Sequence, residues 1–369
     1  MEFFRVTDPS SMLSPSLVVD RGVVRTNLDA MIAMAGGPQR LRPHVKTHKM
    51  PAIIRMCEEK GITKQKVATV AEAEMTAEAG CRDIFLAYPI IGPNIARIAK
   101  LAHHFPDTTF RVLMDDPQST EVLDVGMKRL GIRLHVLLDL EVGMGRTGIA
   151  PGDAAFALYQ QVASSKNLIA DGLHAYDGHL QIFDLAERRE RARPGIEKTL
   201  ALRDRLIASG YEVPRLILGG TPTFPVHASL DEPNVELSPG TCTLYDMSYA
   251  AKFPDLPFTP AAAVLTRVIS RPRPGRLCLD VGHKAVAADP AGPRLTLPDL
   301  PGATLGGQSE EHLVVDTPDA EKYPPGTVFL AFPTHVCPTS ALHRKAYVVE
   351  NGVLVDEWEV AARDRVLRF

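Results

Sequence analysis

The 369-residue sequence has no apolar run that approaches the length of a membrane span. It also lacks charge of one sign. The net charge is −3, which offers no basic field to nucleic acid. The opening Met1-Glu2-Phe3-Phe4-Arg5 does not follow the charged, apolar, small-residue pattern of a signal peptide. Cysteine is sparse. The five (Cys57, Cys81, Cys242, Cys278 and Cys337) are odd in number and scattered. That argues against a disulfide framework and for a reducing cytoplasm. Heptads and low-complexity tracts are absent. No Gly-x-Gly-x-x-Gly follows an early strand, so dinucleotide binding lacks its usual mark. The expectation is a cytoplasmic protein with neither a membrane nor a nucleic-acid partner.

What remains is ordinary globular material, 45% hydrophobic and 23% charged, long enough for two domains. Up to about residue 240, short Val/Ile/Leu-rich runs alternate with amphipathic stretches. The runs predict strands at Ser16–Asp20, Leu41–Val45, Lys66–Val70, Asp83–Ala87, Thr109–Asp115, Leu134–Leu140, Leu168–Ala175, Arg215–Gly219 and Val235–Leu237. Helical periodicity between them, as in Asn94–His104 and Ala186–Ser209, implies a parallel sheet with crossover helices. A (β/α)8 barrel needs eight strands, so one of the nine is surplus. Either it is no strand, or Ser16–Asp20 belongs to another domain. Beyond about residue 255, strand-like runs at Val264–Arg271, Arg276–Val281, His312–Asp316, Gly326–Ala331 and Lys345–Glu350 are separated by Pro/Gly turns. No helical stretch intervenes, which predicts an antiparallel β domain. Asn351-Gly352 predicts a hairpin.

Several constellations carry chemistry. Leu41-Arg42-Pro43-His44-Val45-Lys46-Thr47-His48-Lys49 ends an apolar stretch in lysines and histidines. At a barrel strand end, Lys46 would point into a cleft and could bond a carbonyl carbon. Gly219-Gly220-Thr221 and Pro239-Gly240-Thr241 close the last two barrel strands, where barrels commonly hold a phosphate. Gly143-Met144-Gly145-Arg146-Thr147-Gly148 would let the backbone approach a ligand and aim Arg146 at an anionic oxygen. In Tyr176-Asp177-Gly178-His179, Tyr176 can stack on a ring and His179 can move protons. Thr334-His335-Val336-Cys337-Pro338 reads as a strand end with His335 and Cys337 on one side, a pair suited to zinc. Ser309-Glu310-Glu311-His312 would lie around that pair, with His343 as a further candidate ligand. One reagent accounts for a carbonyl-binding lysine, an arginine, a stacking tyrosine and a phosphate cradle. It is pyridoxal 5'-phosphate, an electron sink at the amino-acid α-carbon.

These motifs together resemble the D-threonine aldolase / D-serine dehydratase-like family, which shares the alanine racemase type (fold type III) of pyridoxal-phosphate fold. The resemblance covers nearly the whole chain. It implies an α/β architecture. Residues 24–250 would form a (β/α)8 TIM-like barrel, and residues 1–23 and 251–369 a β domain that includes the first strand and carries the metal site. It implies that Lys46 is the Schiff-base lysine, that Arg146 contacts the cofactor ring and that Tyr176 packs on its face. Gly220, Thr221, Gly240 and Thr241 would hold the phosphate. His335 and Cys337 would hold a divalent metal: zinc by their chemistry, with manganese or magnesium as alternatives. The implied assembly is a homodimer, and the implied substrate a β-hydroxy-D-amino acid. Cys337 stands where the better-known aldolases have an acidic residue, as in the dehydratases. Ile182 stands where those aldolases have a histidine, and His179 would take its place as catalytic base. The expected reaction is retro-aldol cleavage to glycine and an aldehyde. The alternative is dehydration of D-serine or D-3-hydroxyaspartate to a 2-oxo acid and ammonia. A racemase has no use for the metal pair.

Overall fold

The computed structural model describes residues 2–369, which divide into two compact units. One takes Met31–Lys46, Ile53–Gly240 and Asp364–Phe369. The other takes the chain up to Ala30, Thr47–Ala52 and Thr241–Arg363. Among the described residues no helix is long and apolar enough to cross a membrane.

The first strand, β1 (Ser16–Asp20), is not part of the barrel unit. That unit is a parallel sheet whose neighbours follow chain order: β2 (Lys64–Val67), β3 (Asp83–Pro89), β4 (Thr109–Met114), β5 (Leu134–Leu140), β6 (Leu168–Ala175), β7 (Leu216–Leu218) and β8 (Val235–Leu237). In β5 the consecutive residues Val136, Leu137 and Leu138 are all fully buried. Both faces are therefore covered, as crossover helices require. Those helices are amphipathic. In Asn94–His104 the buried residues are Ile95, Ile98, Ala99 and Leu101, a stripe at helical spacing.

Leu41–Val45, expected as a strand, instead makes two parallel bridges, Leu41 to Leu237 in β8 and His44 to Lys66 in β2. Pro43 is the reason, because it has no N–H for a ladder. Its carbonyl still accepts from Lys66 N at 2.9 Å, while Arg42 N donates to the Leu237 carbonyl at 2.8 Å. The segment stands between β8 and β2 and closes the seven strands into an eight-staved barrel.

Near the strand starts the barrel encloses a ring of alternating charge rather than an apolar layer. Arg42, fully buried, binds Glu236 at 2.5 Å and Asp83 at 2.6 Å. Arg111 joins Asp83 to Asp171, each at 2.5 Å. Arg215 binds Asp171 and reaches Glu236 at 3.7 Å. Lys64 adds a second cation on Glu236 at 2.9 Å. Burial alone would raise the Glu236 carboxyl, but Arg42 and Lys64 hold it down at about 2.

In the other unit β1 pairs with β9 (Ala262–Arg273) and β15 (Lys345–Glu350). The remaining strands are β10 (Arg276–Leu279), β11 (Leu295–Thr296), β12 (Thr304–Gln308), β13 (Leu313–Asp316), β14 (Val328–Pro333) and β16 (Val353–Glu359). The sheet runs β12-β13-β10-β9-β1-β15-β16, and β14 joins β9 to β11. It is antiparallel except at one place, where β1 lies parallel to β15. No hairpin ties β1 to its neighbours, so no turn dictates its direction. Asn351 (φ 52) and Gly352 (φ 80) turn β15 into β16, the type I′ geometry that Asn-Gly favours. Contrary to the helix-free expectation, a helix covers Val336–Leu342. Seven residues are too few for a periodic signal.

Candidate active site

Lys46 lies in a 3-10 turn, Val45–Thr47, at the end of the closing stave. The Lys46 amide donates to His44 Nδ1 at 3.3 Å. The Lys46 Nζ is 5.7 Å from the Tyr176 ring centroid, and the Arg146 guanidinium carbon is 4.9 Å from the same point. The barrel unit therefore brings together the three residues expected at the cofactor ring. Tyr176, just beyond β6, is boxed by glycines. A Cβ on Gly178 would fall 2.1 Å from its hydroxyl, and one on Gly220 would fall 2.8 Å from Cε2. No side chain fits at either position without moving the ring.

Arg146 rides on a loop in which Gly143, Gly145 and Gly148 all have positive φ, a conformation glycine adopts without strain. The Glu141 carboxylate accepts from the Gly143 and Gly145 amides. Asp115 accepts from Gly148 at 2.7 Å. His179 is exposed, and Gly143 leaves room for its imidazole: a Cβ there would lie 2.8 Å from Nε2.

The loops after β7 and β8 are joined, because the Gly240 amide donates to Thr221 Oγ1 at 3.1 Å. Asp177 pins the first of them. Its carboxylate accepts from Thr223 Oγ1 at 2.5 Å and meets His227 Nε2 at 2.7 Å. The tyrosine loop and the glycine loop are thus one braced structure. Thr241 belongs to the other unit, where its hydroxyl lies 3.9 Å from the Cys337 sulfur.

Three further residues stand in the same place. The Lys66 Nζ is 5.6 Å from the Tyr176 centroid and 2.8 Å from His174 Nε2. His174 Nδ1 meets Asp139 Oδ1 at 2.7 Å, and Thr147 donates to Asp139 Oδ2 at 2.7 Å. Burial and then Lys46 push the Lys66 amine down to about 7. Burial and then Lys66 push His174 to about 4, so the imidazole is neutral at ordinary pH. Sequence reasoning missed all three, although each is an ionisable residue one position from the end of a parallel strand. Three cationic heads around one aromatic ring, beside glycine-rich loops, suit an anionic phosphorylated ring compound.

In the β unit, His335 and Cys337 are not on a strand. His335 is the N-cap of the helix Val336–Leu342, and Cys337 is in its first turn. Pro338 is tolerated there because first-turn amides have no helical acceptor. The pair is nevertheless adjacent. A hydrogen bond to Cys337, aided by Asp289, raises the His335 imidazole to about 9. Asp289 Oδ2 meets His335 Nδ1 at 2.5 Å, which directs Nε2 away as a metal ligand would need. The Cys337 sulfur lies 3.3 Å from Thr47 Oγ1. Asp246, buried, accepts from the Val336 amide at 3.1 Å and from Tyr249 at 3.0 Å. Among the described residues no three His, Cys, Asp or Glu side chains gather to hold an ion. The donor pair fits a metal only where solvent or substrate completes the shell, as in catalytic sites. Ser309-Glu310-Glu311-His312 is an exposed turn whose two carboxylates bind Lys284. The His343 Nε2 is engaged by the Ala285 carbonyl at 2.8 Å.

Residues 19–244 match the family described as alanine racemase, N-terminal domain, and residues 261–349 match a serine dehydratase domain. The D-threonine aldolase of Arthrobacter sp is 33% identical over 95% of this chain and 92% of its own. The 3-hydroxy-D-aspartate aldolase of Paracoccus denitrificans is 28% identical over 97% and 94%. The crystal structure of D-threonine aldolase from Filomicrobium marinum superposes with a TM-score of 0.89 at 30% identity, covering 96% of both chains. The chain belongs to the D-threonine aldolase and D-serine dehydratase-like family, built on the alanine racemase type of pyridoxal-phosphate fold.

Proposed function

We propose that this chain is a pyridoxal-phosphate- and divalent-metal-dependent lyase that cleaves β-hydroxy-D-amino acids to glycine and an aldehyde, as a D-threonine aldolase does. The observation that supports it most is the convergence of Lys46 and Arg146 on Tyr176, with Gly220 against the same ring. Lys46 would bond the cofactor aldehyde. Arg146 would pair with its phenolic oxygen, Tyr176 would support the ring face, and Gly220, Thr221 and Gly240 would hold the phosphate. When bound, the cofactor supplies an electron sink for the charge left at the α-carbon. A metal on His335 and Cys337 would supply Lewis acidity toward the substrate hydroxyl. His179, which is exposed, would take up the hydroxyl proton. The reading also expects a homodimer.

Cys337 and the serine dehydratase match over 261–349 favour a second reading, dehydration of D-serine or D-3-hydroxyaspartate. Product analysis separates the two. With D-threonine, glycine and acetaldehyde are expected, and a chelator should abolish them. A 2-oxo acid and ammonia as dominant products, from D-threonine or D-serine, would overturn the aldolase reading.

A further inference from the structure

The roles above leave Lys66 without a task. Its side chain is buried within the barrel and ends 5.6 Å from the Tyr176 centroid and 6.0 Å from that of Phe85. Lys46 ends 5.7 Å from the same tyrosine, so two amines address one ring. A buried ammonium is costly unless paired, and the partner here is an imidazole, His174 Nε2 at 2.8 Å. His174 is oriented in turn by Asp139 at 2.7 Å. That carboxylate is fixed on its other oxygen by Thr147. With Nδ1–H directed at the carboxylate, Nε2 is the acceptor, and it holds the Lys66 head in place. This order of reactive group, partner and orienter is the arrangement in which proteins set up acid–base chemistry.

We propose that Lys66 is a second catalytic amine of this site, held by the Asp139–His174 pair, which takes and returns a proton at the bound cofactor and substrate alongside Lys46. The inference rests on the pyridoxal-phosphate reading. Lys66 accepts the proton on its lone pair as the free amine and gives the same proton back as the ammonium, so a full turnover leaves its charge unchanged. The charges that act on it fit that task. Burial and the cations Lys46, Arg146 and Arg42 favour the free amine, while Asp139 favours the ammonium. His174 is kept neutral by burial and by Lys66 itself. The balance falls at about 7, where both forms are present and proton transfer in either direction is efficient. A lysine that served only as a fixed cation would be replaceable by arginine, which does not give up its proton.

The test compares wild type, Lys66→Met and Lys66→Arg, each loaded with pyridoxal phosphate. It reads the visible absorption of the bound cofactor as a function of pH, the cofactor dissociation constant, and kcat and KM on the substrate that wild type cleaves. Both variants should keep the cofactor, and both should lose about 100-fold or more in kcat with little change in KM. The wild-type spectrum should titrate with pH, and that transition should be missing from Lys66→Met. Should the methionine variant not fold, Asp139→Asn serves instead. Without the Asp139 charge the midpoint should move to lower pH. Wild-type kcat in Lys66→Arg, or an unmoved midpoint in the other variants, would overturn the proposal while leaving the cofactor reading intact. A wild type that shows no visible band with pyridoxal phosphate would overturn both.

Discussion

His335 depends on one contact outside the expected pair. Asp289 holds its Nδ1, so Asp289→Asn should leave the fold intact and weaken zinc binding about 10- to 100-fold, measured by competitive titration of the metal. An unchanged affinity would show that the carboxylate does not orient the ligand. Residues of this kind were the hardest to read from sequence. Lys46, Arg146 and Tyr176 announce themselves because they sit in loops among glycines and prolines, where chemistry-bearing residues stand out. Lys66, Asp139 and His174 sit inside strands, where a lone ionisable residue does not stand out. Their meaning depends on which strand neighbours which, and spacing along the chain does not contain that. The signal that could have found them is their common position next to the strand end, since adjacent parallel strands bring such positions side by side.

Among the elements, the loop after β7 owes its shape to Asp177 as well as to its own glycines. Asp177→Ala leaves Thr223 and His227 without their buried partner, at about 1–3 kcal/mol. If half of that falls on the bound state, the pyridoxal-phosphate dissociation constant rises roughly two- to tenfold, which a fluorescence titration of the cofactor would detect. Gly220→Ala should act on the same loop by collision, because its new methyl would press on Tyr176. Most barrel strands and helices were legible, since long apolar runs and helical stripes are local features. Two elements that carry candidate site residues were not. The closing stave reads as a strand because Leu41 and Val45 are apolar, yet Pro43 denies it a ladder. The helix Val336–Leu342 is a single pair of turns, and it converts the His-x-Cys spacing from a strand alternation into an N-cap and first-turn pair.

For the whole molecule, the charge ring inside the barrel makes stability depend on acid. Glu236 titrates at about 2 when folded against 4.5 as an ordinary glutamate. A depressed carboxylate stabilises the fold fully above its unfolded value, and that contribution disappears as pH falls from about 4.5 toward 2. Urea unfolding between pH 7 and pH 3 should show stability declining over that window. Arg42→Met should remove about 3–5 kcal/mol at pH 7 by leaving Glu236 and Asp83 short of a buried partner, and should flatten the decline. The surplus strand is also a matter for the whole chain. Ser16–Asp20 is identical in character to the barrel strands, and only its pairing with β9 and β15 sends it to the other sheet. Long-range pairing of that sort has no local signature.

The central claim is that Lys46 carries the cofactor, and one absorption spectrum tests it. Wild-type protein incubated with pyridoxal phosphate and freed of excess should be yellow, with a visible band that survives gel filtration. Lys46→Ala, folded to the same extent by circular dichroism, should show no such band. A band of equal strength in the alanine variant would contradict the account.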